Sequence, residues 1–257
     1  MFWVDPTAQV LQGASAELEP LGTLMARRSV APRRLGWPGP TQAQLALMID
    51  AALRAPDHGG LSPWRAIHIR PENRHELAEL FAQEKQRRDP LVSAGDLARA
   101  REHATNAPTL LAFAACIRVG ATVPVHEQWL AAGAALGNML NALHAMGFGA
   151  IVLSGDRCGD ALLASQLGLQ EGEKLVGFIS AGTVRQLPPA ALCKPTDSVW
   201  STWRGPQADT PEHSSSKAPA QRGENPCLAS TDCPSAESKY SAKFEACSDA
   251  PFSTTTP

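Results

Sequence analysis

The chain has 257 residues, 44 % hydrophobic and 19 % charged, with a formal net charge of -2. That length suits one sizeable core, and the composition is ordinary for a soluble protein. The near-neutral charge offers no strong field to nucleic acid or an anionic membrane, and no run of about 18 apolar residues offers a transmembrane span.

Residues 1–16 show no sustained period and are expected to form an irregular arm without the pattern of a signal peptide. From Glu17 the pattern turns helical, with Leu18, Leu21, Leu24 and Met25 three and four apart; Pro20 is tolerable only in the first turn. This helix delivers Arg27, Arg28 and Ser29 at its end. Residues 32–40 hold three prolines and two glycines and predict a loop. Thr41 opens Thr-Gln-Ala-Gln, a capping box in which Thr41 accepts from the Gln44 amide while Gln44 reaches back. Leu45, Met48, Ile49, Ala52 and Leu53 then form one apolar stripe. The helix must end near Arg54, because Pro56 disfavours helical geometry at Ala55 and has no amide to donate.

Residues 65–70 alternate around Ile67 and Ile69 and predict a strand. Residues 71–86 predict a helix with Leu77, Leu80 and Phe81 on its face, ended by Asp89-Pro90. Residues 96–103 predict a charged, exposed helix. Residues 109–117 are a continuous apolar run, as expected of a strand covered on both faces. Residues 126–146 predict a long central helix, unusually small-sided through Ala131, Ala132, Gly133, Ala134, Ala135, Gly137 and Ala142, and suited to a subunit interface. Gly147-Phe-Gly149 stops it. A short strand over 150–153, a short helix over 160–167 and a last strand over 175–183 follow. Residues 205–257 are too poor in apolar groups to offset an ordering cost of roughly 1–2 kcal/mol per residue, and a disordered tail is expected there. One domain is therefore expected over residues 17–204.

The six cysteines form no Cys-x-x-Cys pair, so neither a metal site nor a disulfide framework is expected, and the cytoplasm is the expected compartment. A Gly-x-Gly-x-x-Gly turn after a strand and a phosphate loop are both absent. Arg27, Arg28 and Ser29 have two readings: donors to a phosphate or to polar ring atoms, or cations solvated at a helix C-terminus. Residues 54–64 read Arg-Ala-Pro-Asp-His-Gly-Gly-Leu-Ser-Pro-Trp. A turn accounts for Pro56, Asp57, Gly59 and Gly60 but not for Arg54, His58 and Trp64 together. Glu127 reads as a first-turn acid complementing the helix dipole. Ser154 is outside any Gly-x-Ser-x-Gly elbow, so no hydrolase nucleophile is expected.

Taken in order, Arg27-Arg28-Ser29, Arg54-Ala-Pro-Asp-His58, Ser62-Pro-Trp64, Ala107-Pro108, Ala145-Met-Gly-Phe-Gly149, Ser154-Gly155 and Gly177-Phe-Ile-Ser-Ala-Gly182 resemble the nitroreductase family of flavin enzymes, in particular its short, single-domain bacterial members. The resemblance covers roughly residues 21–203. It implies an α+β fold with a central, mainly antiparallel sheet flanked by helices, and an intertwined homodimer with FMN sites built from both subunits. It implies that Arg27, Arg28, Ser29, Arg54 and His58 contact FMN, and that Val152, Leu153 and Ser154 approach the ring from the second subunit. Ala142, Leu143, His144, Ala145, Met146 and Gly147 correspond to a segment proposed for the nicotinamide nucleotide. The implied activity is ping-pong transfer from NAD(P)H through FMN to nitroaromatic, quinone or related small-molecule acceptors, without a dedicated catalytic nucleophile. Close relatives carry Trp-Arg before the serine where this chain has Val152-Leu153. That difference keeps two alternatives in view: a flavin-fold enzyme of another reaction, such as enone reduction or flavin fragmentation, and a non-catalytic flavin carrier or sensor.

Overall fold

The computed structural model describes residues 19–189 and 195–205; all of the expected N-terminal arm and nearly all of the expected tail lie outside them. The first helix, α1 (Glu19–Ala26), has Pro20 in its first turn, where a missing amide costs nothing. The chain leaves α1 through Arg27 and Arg28, and Ser29 forms a parallel bridge with Ala150. The Val30 amide then donates to the Ala150 carbonyl at 3.0 Å. The segment expected as a loop contains a turn at Pro32–Arg34, a two-residue strand β1 (Leu35–Gly36) and a cis Trp37-Pro38 bond.

Helix α2 (Gln42–Ala52) starts with the predicted capping box: the Gln44 amide donates to Thr41 Oγ1 at 3.3 Å, and the Thr41 amide donates to Gln44 Oε1 at 2.9 Å. Then come β2 (Trp64–Ile69), α3 (Arg74–Arg88), α4 (Ala94–Glu102), β3 (Thr109–Cys116), α5 (Val125–Ala145), β4 (Phe148–Leu153), α6 (Ala161–Gln166) and β5 (Glu173–Val184). Helix α4 is not wholly exposed, because Ala100 is buried.

Strand β5 is the spine of the sheet. Strand β3 pairs with it along Thr109↔Ala181 to Cys116↔Glu173, and β2 pairs with the far side of β3. Strand β4 pairs with β5 from Phe148↔Thr183 to Leu153↔Phe178, and β1 with its end through Leu35↔Val184. All four pairings are antiparallel. Gly149 allows the crowding where β1, β4 and β5 meet: a Cβ there would stand 2.7 Å from Val184 Cγ2 and 2.8 Å from Leu35 Cδ2.

Both faces of the sheet are covered, which is why β3 reads as unbroken apolar sequence. One core joins Leu45, Met48 and Ala52 of α2 to Ala135, Met139 and Leu143 of α5 over Leu111, Phe113 and Ile179. The other packs Leu77 and Phe81 of α3 and Leu163 of α6 against Leu110, Ala112 and Phe178. From Thr196 a turn at Thr196–Ser198 precedes the exposed side chains of Val199, Trp200 and Trp203.

Candidate functional site

The bridge from Ser29 to Ala150 seats the Arg27–Arg28–Ser29 segment beside β4 of the same chain. Arg28 Nη1 donates to the Pro189 carbonyl at 3.2 Å. Arg27 is half-buried and its guanidinium makes no hydrogen bond or ion pair among the described residues, and the Ser29 hydroxyl is likewise free of them. Further along β4, Val152 pairs with Ile179 and Leu153 with Phe178; both are half-buried, while Ser154 is exposed.

Helix α2 ends at Leu53, whose amide bonds back to Ile49, and this leaves Arg54 exposed. The loop that follows is braced from within and from below. Asp57 Oδ2 accepts from the Ser62 amide at 2.6 Å, so Asp57 supplies the local hydrogen bond expected of a turn residue. Gly59 sits at φ +78°, and a Cβ there would lie 2.9 Å from Val123 Cγ2. Val123 is fixed in turn by buried Gln128, whose Nε2 donates to the Val123 carbonyl at 2.9 Å and to the Arg118 carbonyl at 3.0 Å. His58 reaches outside the loop: its Nδ1 lies 2.6 Å from Glu127 Oε2 in the first turn of α5.

Arg54 opens into a cleft of about 460 Å³ shared with Ala142, His144 and Ala145 of α5. Pro20, Thr23 and Leu24 of α1 form another wall, and Ala51, Asn138 and Asn141 complete the lining. Asn138 Nδ2 donates to the Ala51 carbonyl at 3.1 Å and ties α5 to α2. The side chains of Arg54, Asn141 and His144 make no hydrogen bond or ion pair among the described residues, and no carboxylate lines the cleft. Leu143 differs from its neighbours: its side chain is fully buried in the core. Met146 is half-buried, and Gly147 ends the helix at φ +86°.

The turn after Ser154 is pinned from the opposite face of the sheet. Arg88 Nη1 contacts Asp156 at 2.7 Å, Arg87 Nη2 contacts Asp160 at 2.8 Å, and Arg157 lies over the Phe81 ring at 4.1 Å. Burial pushes the Arg157 guanidinium and the His103 imidazole down, and Arg157 donates to His103 Nδ1 at 3.0 Å.

The strongest electrostatic cluster is structural. Glu173 accepts from Arg65 Nε at 2.8 Å and Nη2 at 2.7 Å, from the Gln170 amide at 2.8 Å and from Cys116 Sγ at 3.2 Å. Those donors pull its carboxyl down to about 2, while burial and the adjacent carboxylate push the Cys116 thiol up to about 11. Such a thiol is a poor nucleophile. Among the described residues no cluster of His, Cys, Asp or Glu could hold a metal ion, and no helix is long and apolar enough to cross a membrane.

The sequence reading missed the contact of Glu127 with His58, the bracing role of Gln128 and the placing of Asn138 and Asn141 beside Arg54. Only the His126-Glu127-Gln128 run opening a helix pointed there, and it does not name a partner 69 residues away.

The sequence pattern of the nitroreductase family matches residues 24–183. The Escherichia coli (strain K12) protein named "Putative NAD(P)H nitroreductase YdjA" is 30 % identical over 190 residues, which are 72 % of this chain and all of that protein. The crystal structure of a nitroreductase-like family protein from Bacillus cereus superposes with a TM-score of 0.62 at 18 % identity, covering 73 % of this chain and 97 % of that one. A nitroreductase from Desulfovibrio desulfuricans, crystallised in complex with FMN, gives a TM-score of 0.56 at 22 % identity over 73 % of this chain and 98 % of that one. The two structures establish a shared fold.

Proposed function

The chain belongs to the nitroreductase family, and from that premise we propose that it is an FMN-dependent oxidoreductase taking reducing equivalents from NAD(P)H and passing them to nitroaromatic, quinone or related acceptors. FMN is present in the similar Desulfovibrio structure, and NAD(P)H stands in the name of the E. coli relative.

The observation that carries the reading is the unengaged guanidinium of Arg54 at the cleft, with that of Arg27 beside β4 likewise unengaged. The Arg27 and Arg54 guanidiniums, like those of exposed Arg33 and Arg118, have no hydrogen-bond or ion-pair partner among the described residues, whereas Arg65, Arg87, Arg88 and Arg101 are each bound to a carboxylate. A free guanidinium opening into a cleft with no acid in its lining suits an anionic ligand. The fit to FMN is therefore good. Arg27, Arg28 and Ser29 would hold its phosphate and polar edge, Arg54 and His58 would approach from the second wall, and Val152, Leu153 and Ser154 would border the ring. Bound there, FMN would supply the redox chemistry, taking reducing equivalents from one substrate and releasing them to the other.

The protein's own part is electrostatic and steric. Arginines offset negative charge that develops on reduction, and aliphatic Val152 and Leu153 exclude water. The segment Ala142, Leu143, His144, Ala145, Met146 and Gly147 would serve the nicotinamide nucleotide through the side chains that face the Arg54 cleft, with Leu143 only supporting them from the core. One cleft serving donor and acceptor in turn is a ping-pong arrangement. A homodimer is supported by apolar surface left uncovered on one chain: Leu21, Leu24 and Met25 on α1, and Trp129 and Leu130 on α5. Gly133 and Gly137 of α5 also look into open space, where a second backbone could come close. The expected setting is the cytoplasm, where the nicotinamide donor is recycled.

The aliphatic Val152-Leu153 pair favours the second reading, a flavin protein of another reaction or without turnover. Steady-state NADH and NADPH oxidation with nitrofurazone and menadione separates the two. Acceptor-dependent turnover is expected, and tight yellow FMN without it would sink the first reading.

A further inference from the structure

We propose that Glu127 is a positioning residue for His58, holding the imidazole so that Nε2 is the nitrogen presented to the cofactor. The inference rests on the assignment of His58 to FMN. Its geometric basis is the 2.6 Å contact between His58 Nδ1 and Glu127 Oε2. That contact uses Nδ1 and leaves Nε2 as the only ring nitrogen available to a ligand.

The loop beneath is built to keep the ring there. Asp57 closes the loop on the Ser62 amide, Gly59 rests on Val123, and Gln128 anchors Val123 to the same helix that carries Glu127. His58 and Glu127 therefore stand on two segments tied together independently of their own contact. The ordinary role of a first-turn acid, complementing the helix dipole, needs no histidine partner. A stabilising ion pair is a poor account too: the side chains are 73 % and 34 % exposed, and exposed pairs add little to stability. Orientation of the ring is the role that remains, as for carboxylates that orient histidine ligands behind metal sites.

The test is a double-mutant cycle on FMN affinity, read by flavin fluorescence on titrating the apoprotein, with thermal unfolding of each apoprotein beside it. His58→Ala and Glu127→Ala are each expected to weaken FMN about tenfold. The double variant should bind no more weakly than His58→Ala alone, because Glu127 acts through His58. Glu127→Gln retains an oxygen that accepts from Nδ1 and should restore most of the affinity. The apoprotein midpoints should be unchanged, which separates positioning from folding. Additive losses in the double variant, or wild-type affinity in Glu127→Ala while His58→Ala is weakened, overturn the positioning role and leave the FMN site standing. Wild-type affinity in His58→Ala overturns the His58 assignment and the proposal with it. Absence of FMN binding by the wild-type chain overturns both this and the function proposed above.

Discussion

Replacing Glu173 by Gln should destabilise the protein in a pH-dependent way. The wild-type carboxylate binds Arg65 through both oxygens and also accepts from the Gln170 amide and Cys116. It thereby ties the start of β5 to β2, to the end of β3 and to the turn after α6. Its carboxyl falls from an ordinary 4.5 to about 2. That difference corresponds to on the order of 3 kcal/mol of stabilisation at neutral pH. The Glu173 side chain is 13 % exposed but Arg65 is 37 % exposed, so solvent screens part of the gain. The expected loss in Glu173→Gln is then about 2 kcal/mol, roughly 4–8 °C in Tm. The folded carboxyl titrates below the unfolded one. Its contribution is therefore whole above the ordinary value and disappears as pH falls through the folded value of about 2. Urea unfolding of both proteins at about pH 7 and about pH 3 measures the gap, which should narrow in acid. A gap equal at both pH values, or none at neutral pH, would refute the reasoning.

Other outcomes follow from the packing. Gly149→Ala forces a methyl into the space held by Val184, Leu35 and Val30 and should cost about 1–3 kcal/mol in urea unfolding, since none of those three contacts is a flexible chain end. Thr41→Ala removes the capping box of α2 and should cost about 1 kcal/mol by the same assay. Cys116, its thiol pushed up to about 11, should react with iodoacetamide at neutral pH far more slowly than an unfolded control, as followed by mass spectrometry.

Local signals carried much of the fold. The Thr41–Gln44 box and the unbroken run of β3 are short-range patterns that fix an element and its burial, and the structure has both where the sequence placed them. Strand β1 was not visible because two residues have no period; Leu35 and Gly36 are a strand only because Val184 and Thr183 lie alongside. The site divides in the same way. Arg54 and His58 are residues that a turn does not require, while Arg27, Arg28 and Ser29 read either as donors to an anion or as cations solvated at a helix end. Their surroundings depend on contacts between distant segments, such as Ser29 with Ala150, His58 with Glu127, and Arg54 with the side chains of α5. No spacing rule reaches across those separations. Glu127 shows the limit well: the helix dipole fully explains its position in a first turn, and only the fold brings the histidine beside it.

The central claim is that Arg27 and Arg54 belong to a flavin site that NAD(P)H reduces. The most direct measurement is the visible absorbance of FMN-loaded wild-type and Arg27→Ala/Arg54→Ala proteins after gel filtration, followed by anaerobic addition of NADH or NADPH. The wild type is expected to keep a flavin band, which bleaches with the nucleotide and returns with menadione, and the double variant to leave the column colourless though folded. Full retention of flavin by the double variant, or a wild-type band that neither nucleotide bleaches, would contradict that claim.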